Sequence, residues 1–190
     1  MSKIYESCPC FENEHWLLRL VKKSDSEDLL SVYGDKNALP FFNSDNCDGD
    51  NFYYNTKEKM DKAIDFWLYS YKEKWFVRWA IIDKSNGKAI GTIESFKRLS
   101  EDAFNESGVL RLDVGSTYEK ADALEEIMSL IIPHIPEMFD CKQVVTKVPV
   151  YAIERISAAS AFGFEKTDAL LVAKDGVAFN GYWIKKYLQK

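Results

Sequence analysis

Leu18 and Leu20 fall on one side of the run WLLRLVK at residues 16–22, and this two-residue alternation predicts a strand. Ser24 followed by Glu27 has the spacing of a capping box and predicts a helix through Tyr33. Residues 34–55 lose periodicity. Aromatic pairs there flank NSDNCDGDN, which reads as a loop. Thr56 is placed to cap a second helix, in which Met60, Ile64, Trp67, Leu68 and Tyr71 recur at three- and four-residue spacing and define one buried face. FVRWAIID (76–83) and KAIGTIESF (88–96) are β-rich runs separated by KSNG, a strong hairpin signal. A further strand, GVLRLDV, follows at 108–114. Ala123, Leu124, Ile127, Met128 and Ile131 then mark a helix from about Lys120, which Pro133 and Pro136 should end or bend. QVVTKV (143–148) returns to strand. Residues 151–162 carry Ile153, Ile156 and Ala159 at helical spacing, with Gly163 as a stop. ALLVAK, the turn Asp175-Gly176 and VAFNGYWIKKY close the chain as a second hairpin.

The resulting order is β-α-α-β-β-β-α-β-α-β-β, an α/β (α+β) arrangement. Its hairpins demand antiparallel pairing and its strand–helix–strand crossover over residues 110–162 demands parallel pairing, so the expected sheet is mixed. Ligands of such sheets favour the carboxyl ends of parallel strands beside helix N-termini, here the stretch from Val114 to Ala123.

At 190 residues, without repeat or linker, the chain is expected to form a single domain over 1–190, with 1–15 as an N-terminal extension. Hydrophobic residues at 46% and charged residues at 29% describe a folded globular protein. A formal net charge of −5 argues against nucleic acid or an anionic membrane surface as the main partner and favours a cationic or neutral substrate. No apolar run approaches the roughly 20 residues that cross a bilayer. The first residues lack the apolar core of a secretory signal, so a cytoplasmic location is expected. Cys8, Cys10, Cys47 and Cys141 are too sparse for a disulfide framework. With His15 and His134 the chain's two histidines, no metal site is expected and a histidine-based hydrolase is disfavoured. Asp45, Asp48 and Asp50 could line the approach of a cationic amine or serve as turn residues; an EF-hand fails because its twelfth position is Asn55. Trp67, Tyr71, Trp75 and Trp79 fit a core better than a base-stacking platform.

The element order, the segment FVRWAIIDKSNGKAIGTIESF, the GVLRLDV strand leading into a helix and the helix end Phe162-Gly163-Phe164 together resemble the GNAT superfamily of acetyl-CoA-dependent N-acetyltransferases, closest to its RimJ/RimL-like branch, over residues 16–187. The resemblance implies a mixed, mostly antiparallel sheet of about seven strands with about four helices. It also implies acetyl-CoA as cosubstrate and a primary amine, a protein N-terminus or a small amine, as acceptor. Oligomeric state stays open.

In that family a loop of the type Arg/Gln-x-x-Gly-x-Gly/Ala holds the coenzyme pyrophosphate with its backbone N–H groups. The equivalent here is Ser116 to Ala123, so the implied coenzyme-binding residues are Leu112, Asp113, Val114, Tyr118, Glu119, Lys120, Ala121, Asp122 and Ala123. Glu119 and Ala121 replace the two glycines. A carboxylate beside a diphosphate costs about 1 to 3 kcal/mol per facing charge, unless Glu119 points to solvent as an ordinary first-turn residue. The Asn and Ser that follow in the family pattern are Ala152 and Arg155 here, and the tyrosine that protonates the leaving thiolate falls at Ala159. Transfer needs a base, backbone donors and an acid. The candidates are Asp113 or Glu94 as base, the backbone of Leu112 to Val114 as donors, and Tyr151 or Ser157 as acid. Three functions remain open: N-acetyl transfer, a GNAT-shaped protein that binds CoA, another ligand or a protein without transfer, and an interaction module using the aromatic loop from Phe41 to Tyr54.

Overall fold

A computed structural model describes residues 3–187. Its centre is a mixed sheet built from β1 (Phe11–Glu12), β2 (Trp16–Leu20), β3 (Val77–Asp83), β4 (Lys88–Arg98), β5 (Ser107–Val114), β6 (Gln143–Lys147), β7 (Glu165–Lys166) and β10 (Tyr182–Lys186), in the order β1-β2-β3-β4-β5-β6-β10-β7. All neighbours pair antiparallel except β5 with β6. This is the mixed sheet that the order of elements predicts and the mostly antiparallel one that the resemblance implies; β1 and β7 are short additions to its edges, and the ALLVAK segment lies outside it.

Among the described residues five α-helices cover the two faces. On one lie α1 (Ser26–Tyr33) and α2 (Lys57–Lys72), whose Leu29, Tyr33, Met60, Ile64 and Trp67 pack against Ala80, Ile82 and Ala89. On the other, α3 (Ala121–Ile131), α4 (Ile135–Phe139) and α5 (Ile153–Ala161) bury Leu124, Ile127, Ile131 and Ala158 against Trp79, Ile81, Ile93, Leu110 and Val114. The strand alternation that separates these two sets is a direct consequence of the pleat. Ile90 interrupts it: the β3–β4 register shifts between Ile81 and Ile82, so Ile90 and Ile93, three positions apart, enter the same core. At Gly91 a Cβ would lie 2.1 Å from the Asp113 carbonyl oxygen, so close approach of β4 and β5 there requires glycine.

Several local expectations change. The first helix is entered through Asp25, whose carboxylate accepts the Lys22 N–H at 2.8 Å and pairs with Arg19 at 2.7 Å; Ser24 and Glu27 form no capping box. Thr56 does cap α2, accepting from the Lys59 N–H. The C-terminal hairpin is shorter than the alternation implied. Short strands β8 (Leu171–Val172) and β9 (Ala178–Phe179) form their own ribbon around the Asp175-Gly176 turn. Gly181, at φ +82°, then redirects the chain so that β10 joins β6 instead. Pro133 and Pro136 divide the third helix as expected, leaving α4 as a separate turn.

The parallel pairing of β5 with β6 runs only from Gly108–Val144 to Leu110–Thr146. Beyond Leu110 the two strands part, while β5 continues to Val114 in register with β4. The widening gap opens toward the first turn of α3, the place a crossover topology reserves for a ligand.

Candidate functional site

A protein side chain occupies that gap. Arg155, on the first turn of α5, is buried, and its Nη1 donates to the Leu112 carbonyl oxygen at 2.6 Å. Its Nε and Nη2 form a two-pronged pair with Glu119, the latter bond at 2.9 Å. Glu119 is itself buried, neither solvent-facing nor free to meet a phosphate. The neighbouring Glu154 carboxylate accepts the Ala121 N–H at 2.7 Å at the start of α3, where Lys120 gives no side-chain cap. A cavity of about 20 Å³ remains between Leu112, Leu124, Thr146 and Ala159, room for about one water and none for a coenzyme arm. Two glutamates thus sit where an anion would be held, and an arginine lies across the open end of the strand pair.

Other residues of the loop are engaged elsewhere. The Tyr118 hydroxyl donates to Asp83 at 3.1 Å, and its ring stands edge-on to Trp16. Burial, then the Asp83 carboxylate, raises the Tyr118 pKa. Lys120 is exposed, Asp122 accepts the Ala123 N–H, and Ala123 packs against the core. Leu112 and Val114 are buried strand residues.

Of the four side chains considered for proton transfer, Asp113 and Glu94 both meet Arg78, whereas Tyr151 and Ser157 are exposed. Tyr151 is exposed, and its hydroxyl donates to the Pro40 carbonyl oxygen at 2.6 Å. Asp113 is fully buried, with one oxygen accepting from the Tyr33 hydroxyl at 2.9 Å and the other unpartnered. Burial raises its pKa against the pull of Arg78 and Arg155. Glu94 is buried between two arginines. Burial opposes its ionisation, but Arg78 and Arg111 outweigh it and hold the carboxyl below its ordinary value. A carboxylate in that state is a poor proton acceptor.

Arg78, Glu94 and Arg111 form a row across three strands, since Arg78 lies opposite Glu94 and Glu94 opposite Arg111 in the ladder. One Glu94 oxygen takes Arg78 and the other takes Arg111, the latter at 2.6 Å. Above the row, on the α1–α2 face, lies a cavity of about 250 Å³ with aromatic walls that include Phe52, Trp67, Trp75, Phe76 and Phe96. The family pattern does not point to Arg78 or Arg111, and it marks Arg155 as a departure at the serine position. Their signal was nonetheless present: Arg78 and Arg111 interrupt otherwise apolar strands at inward-facing positions. A buried charge in such a strand needs a partner.

No protein-family model matches the chain, and no curated protein sequence matches it. Solved structures do. A ribosomal-protein-S5-alanine acetyltransferase from Vibrio fischeri superposes with a TM-score of 0.67 at 17% identity, over 93% of this chain and 94% of that one. An acetyltransferase of the GNAT family from Bacillus anthracis gives 0.68 at 10% identity, over 94% and 98%. RimL, a ribosomal L7/L12 α-N-protein acetyltransferase solved with coenzyme A, gives 0.68 at 11% identity over the same shares. The chain has the GNAT fold. At these identities the likeness carries the architecture and leaves chemistry to the residues present. In the GNAT fold of this chain the open end of the parallel strand pair is filled by Arg155.

Proposed function

We propose that this protein uses the GNAT fold for ligand binding and does not carry out CoA-dependent acetyl transfer. The carrying observation is the Arg155 guanidinium, bonded to the Leu112 carbonyl and paired with Glu119 inside the strand gap. A coenzyme arm lying along β5 would have to displace that bond and separate a buried ion pair, which costs about 3 to 5 kcal/mol when one charge is left unpaired. The Glu154 carboxylate on the Ala121 N–H adds a second negative group at the start of α3. Ala159, buried in the core, supplies no acid for a thiolate.

A second reading is favoured by the acetyltransferases among the structural neighbours. It is acetyl-CoA-dependent transfer to a primary amine, a protein N-terminus or a small amine, with Arg155 and Glu119 separating when coenzyme enters and Asp113 as base. Calorimetry with CoA up to about 1 mM, together with thiol release from acetyl-CoA over a panel of amines, separates the two. Absence of both signals is expected. Binding tighter than about 0.1 mM, some 5.5 kcal/mol, or amine-dependent thiol release would overturn the binding-protein reading.

A further inference from the structure

The cavity over the Arg78–Glu94–Arg111 row lies on the face of the sheet covered by α1 and α2, and its chemistry is distinctive. Between Arg78 and Arg111 stands a single carboxylate, and both of its oxygens are already used. Arg78 spends Nη1 on the Tyr33 hydroxyl and Thr92, and Arg111 spends Nη2 on the Asp45 carbonyl. The Nε–H of each guanidinium is buried and has no acceptor among the described residues. A buried donor left unsatisfied costs about 1 to 3 kcal/mol, so each arginine retains capacity for an acceptor. The next carboxylate, Asp113, stands 3.5 Å from Arg78, bound to Tyr33 and pushed by burial toward its neutral form.

The aromatic walls suit an arginine floor. The Arg78 guanidinium lies 4.2 Å from the Trp67 ring centre and 5.5 Å from that of Phe52, and Arg111 lies 5.5 Å from that of Phe96. Ring faces stabilise the charge without consuming the in-plane N–H donors, which stay available to an anion. Toward solvent the cavity is flanked by Phe66 and Trp75, which are 52% and 53% exposed and whose ring centres stand 6.3 Å apart, so that they form one contiguous apolar rim. At about 250 Å³ the space lies near the lower end of small-molecule pockets, the size class of a monocyclic acid. Asp48 and Asp50 also line it, and their repulsion costs a doubly charged phosphate more than a singly charged carboxylate.

From this convergence we infer that the cavity binds a small organic monocarboxylate with an apolar or aromatic body, its carboxylate on Arg111 and its body among Phe96, Trp67 and Trp75. Arg111 has the larger exposed surface of the two arginines. The inference deepens the binding-protein reading by naming the ligand class, and its test uses no coenzyme, so either can fail without the other.

Trp67 and Trp75 line the cavity and provide the signal. Titrating the intact protein with benzoate and phenylacetate should give saturable changes in tryptophan fluorescence and a raised melting temperature, whereas benzylamine and inorganic phosphate should give neither. Arg111→Met leaves Glu94 paired with Arg78 and should weaken phenylacetate at least tenfold. Phe96→Ala, which keeps the row intact, should weaken it about threefold or more, and it carries the test should the Arg111 variant fail to fold. No saturable response to either acid, equal binding of benzylamine or phosphate, or wild-type affinity in the folded variants would overturn the assignment.

Discussion

Glu119 illustrates how one residue changes meaning with its neighbours. Along the chain it is a carboxylate intruding on a phosphate loop or an exposed first-turn residue; in the structure it is the counter-ion of Arg155. Glu119→Gln should therefore destabilise the fold by about 3 to 5 kcal/mol, because it leaves a buried guanidinium without its partner. Adding Arg155→Met should recover most of that loss, since an apolar pair of similar volume is often neutral. Chemical denaturation of the wild type, both single variants and the double variant measures the coupling. Simple additivity would show that the two side chains do not depend on each other. The pairing was not legible because residues 119 and 155 are 36 positions apart on different elements. A scan of motif positions registers each as a departure, never the two as a compensated pair.

At the scale of elements, the periodic signals were dependable where a helix or strand is long and has one buried face, as in α2, α3 and the β3–β4 hairpin. They failed where partners decide. VAFNGYWIKKY reads as one strand, yet β9 pairs locally with β8 while β10 completes the sheet beside β6. What anchors the β8–β9 ribbon is Asp102, which pairs with Arg98 at 2.5 Å and accepts the Val172 N–H at 2.8 Å; Arg98 also donates to the Val172 carbonyl. Burial opposes ionisation of Asp102, but Arg98 and two backbone N–H groups prevail and lower its pKa to about 2. A depressed carboxylate stabilises the folded state above its unfolded pKa and loses that contribution as pH falls through the folded value. Protection of the Val172 amide from hydrogen exchange should accordingly decline between about pH 4 and pH 2. Asp102→Asn should show weaker protection at neutral pH and little further change on acidification. An acid response identical to wild type in that variant would remove Asp102 from the account.

For the whole molecule, the GNAT architecture and the contents of its strand gap are separable. Parting of β5 and β6 beyond Leu110 follows from crossover topology and sheet twist, whereas closure of the gap depends on three side chains from two elements. Converting Glu119 to Gly, Glu154 to Ala and Arg155 to Ala together should reopen the gap and allow CoA binding that calorimetry detects, against none in the wild type. If the folded triple variant also ignores CoA, closure by these residues is not what excludes the coenzyme.

The sequence by itself determined the order of elements, the hairpin at KSNG, the buried faces of the helices and the GNAT resemblance. These rest on periodicity and turn chemistry, which act over a few residues and survive without knowledge of partners. It also exposed the missing glycines, because a phosphate loop is a local motif. Only the tertiary structure decided that Arg155 closes the strand gap and that Arg78, Glu94 and Arg111 align beneath an aromatic cavity. Charges buried across strands and helices acquire their meaning from the partner each one meets, and that partner is set by sheet register and helix packing rather than by spacing along the chain.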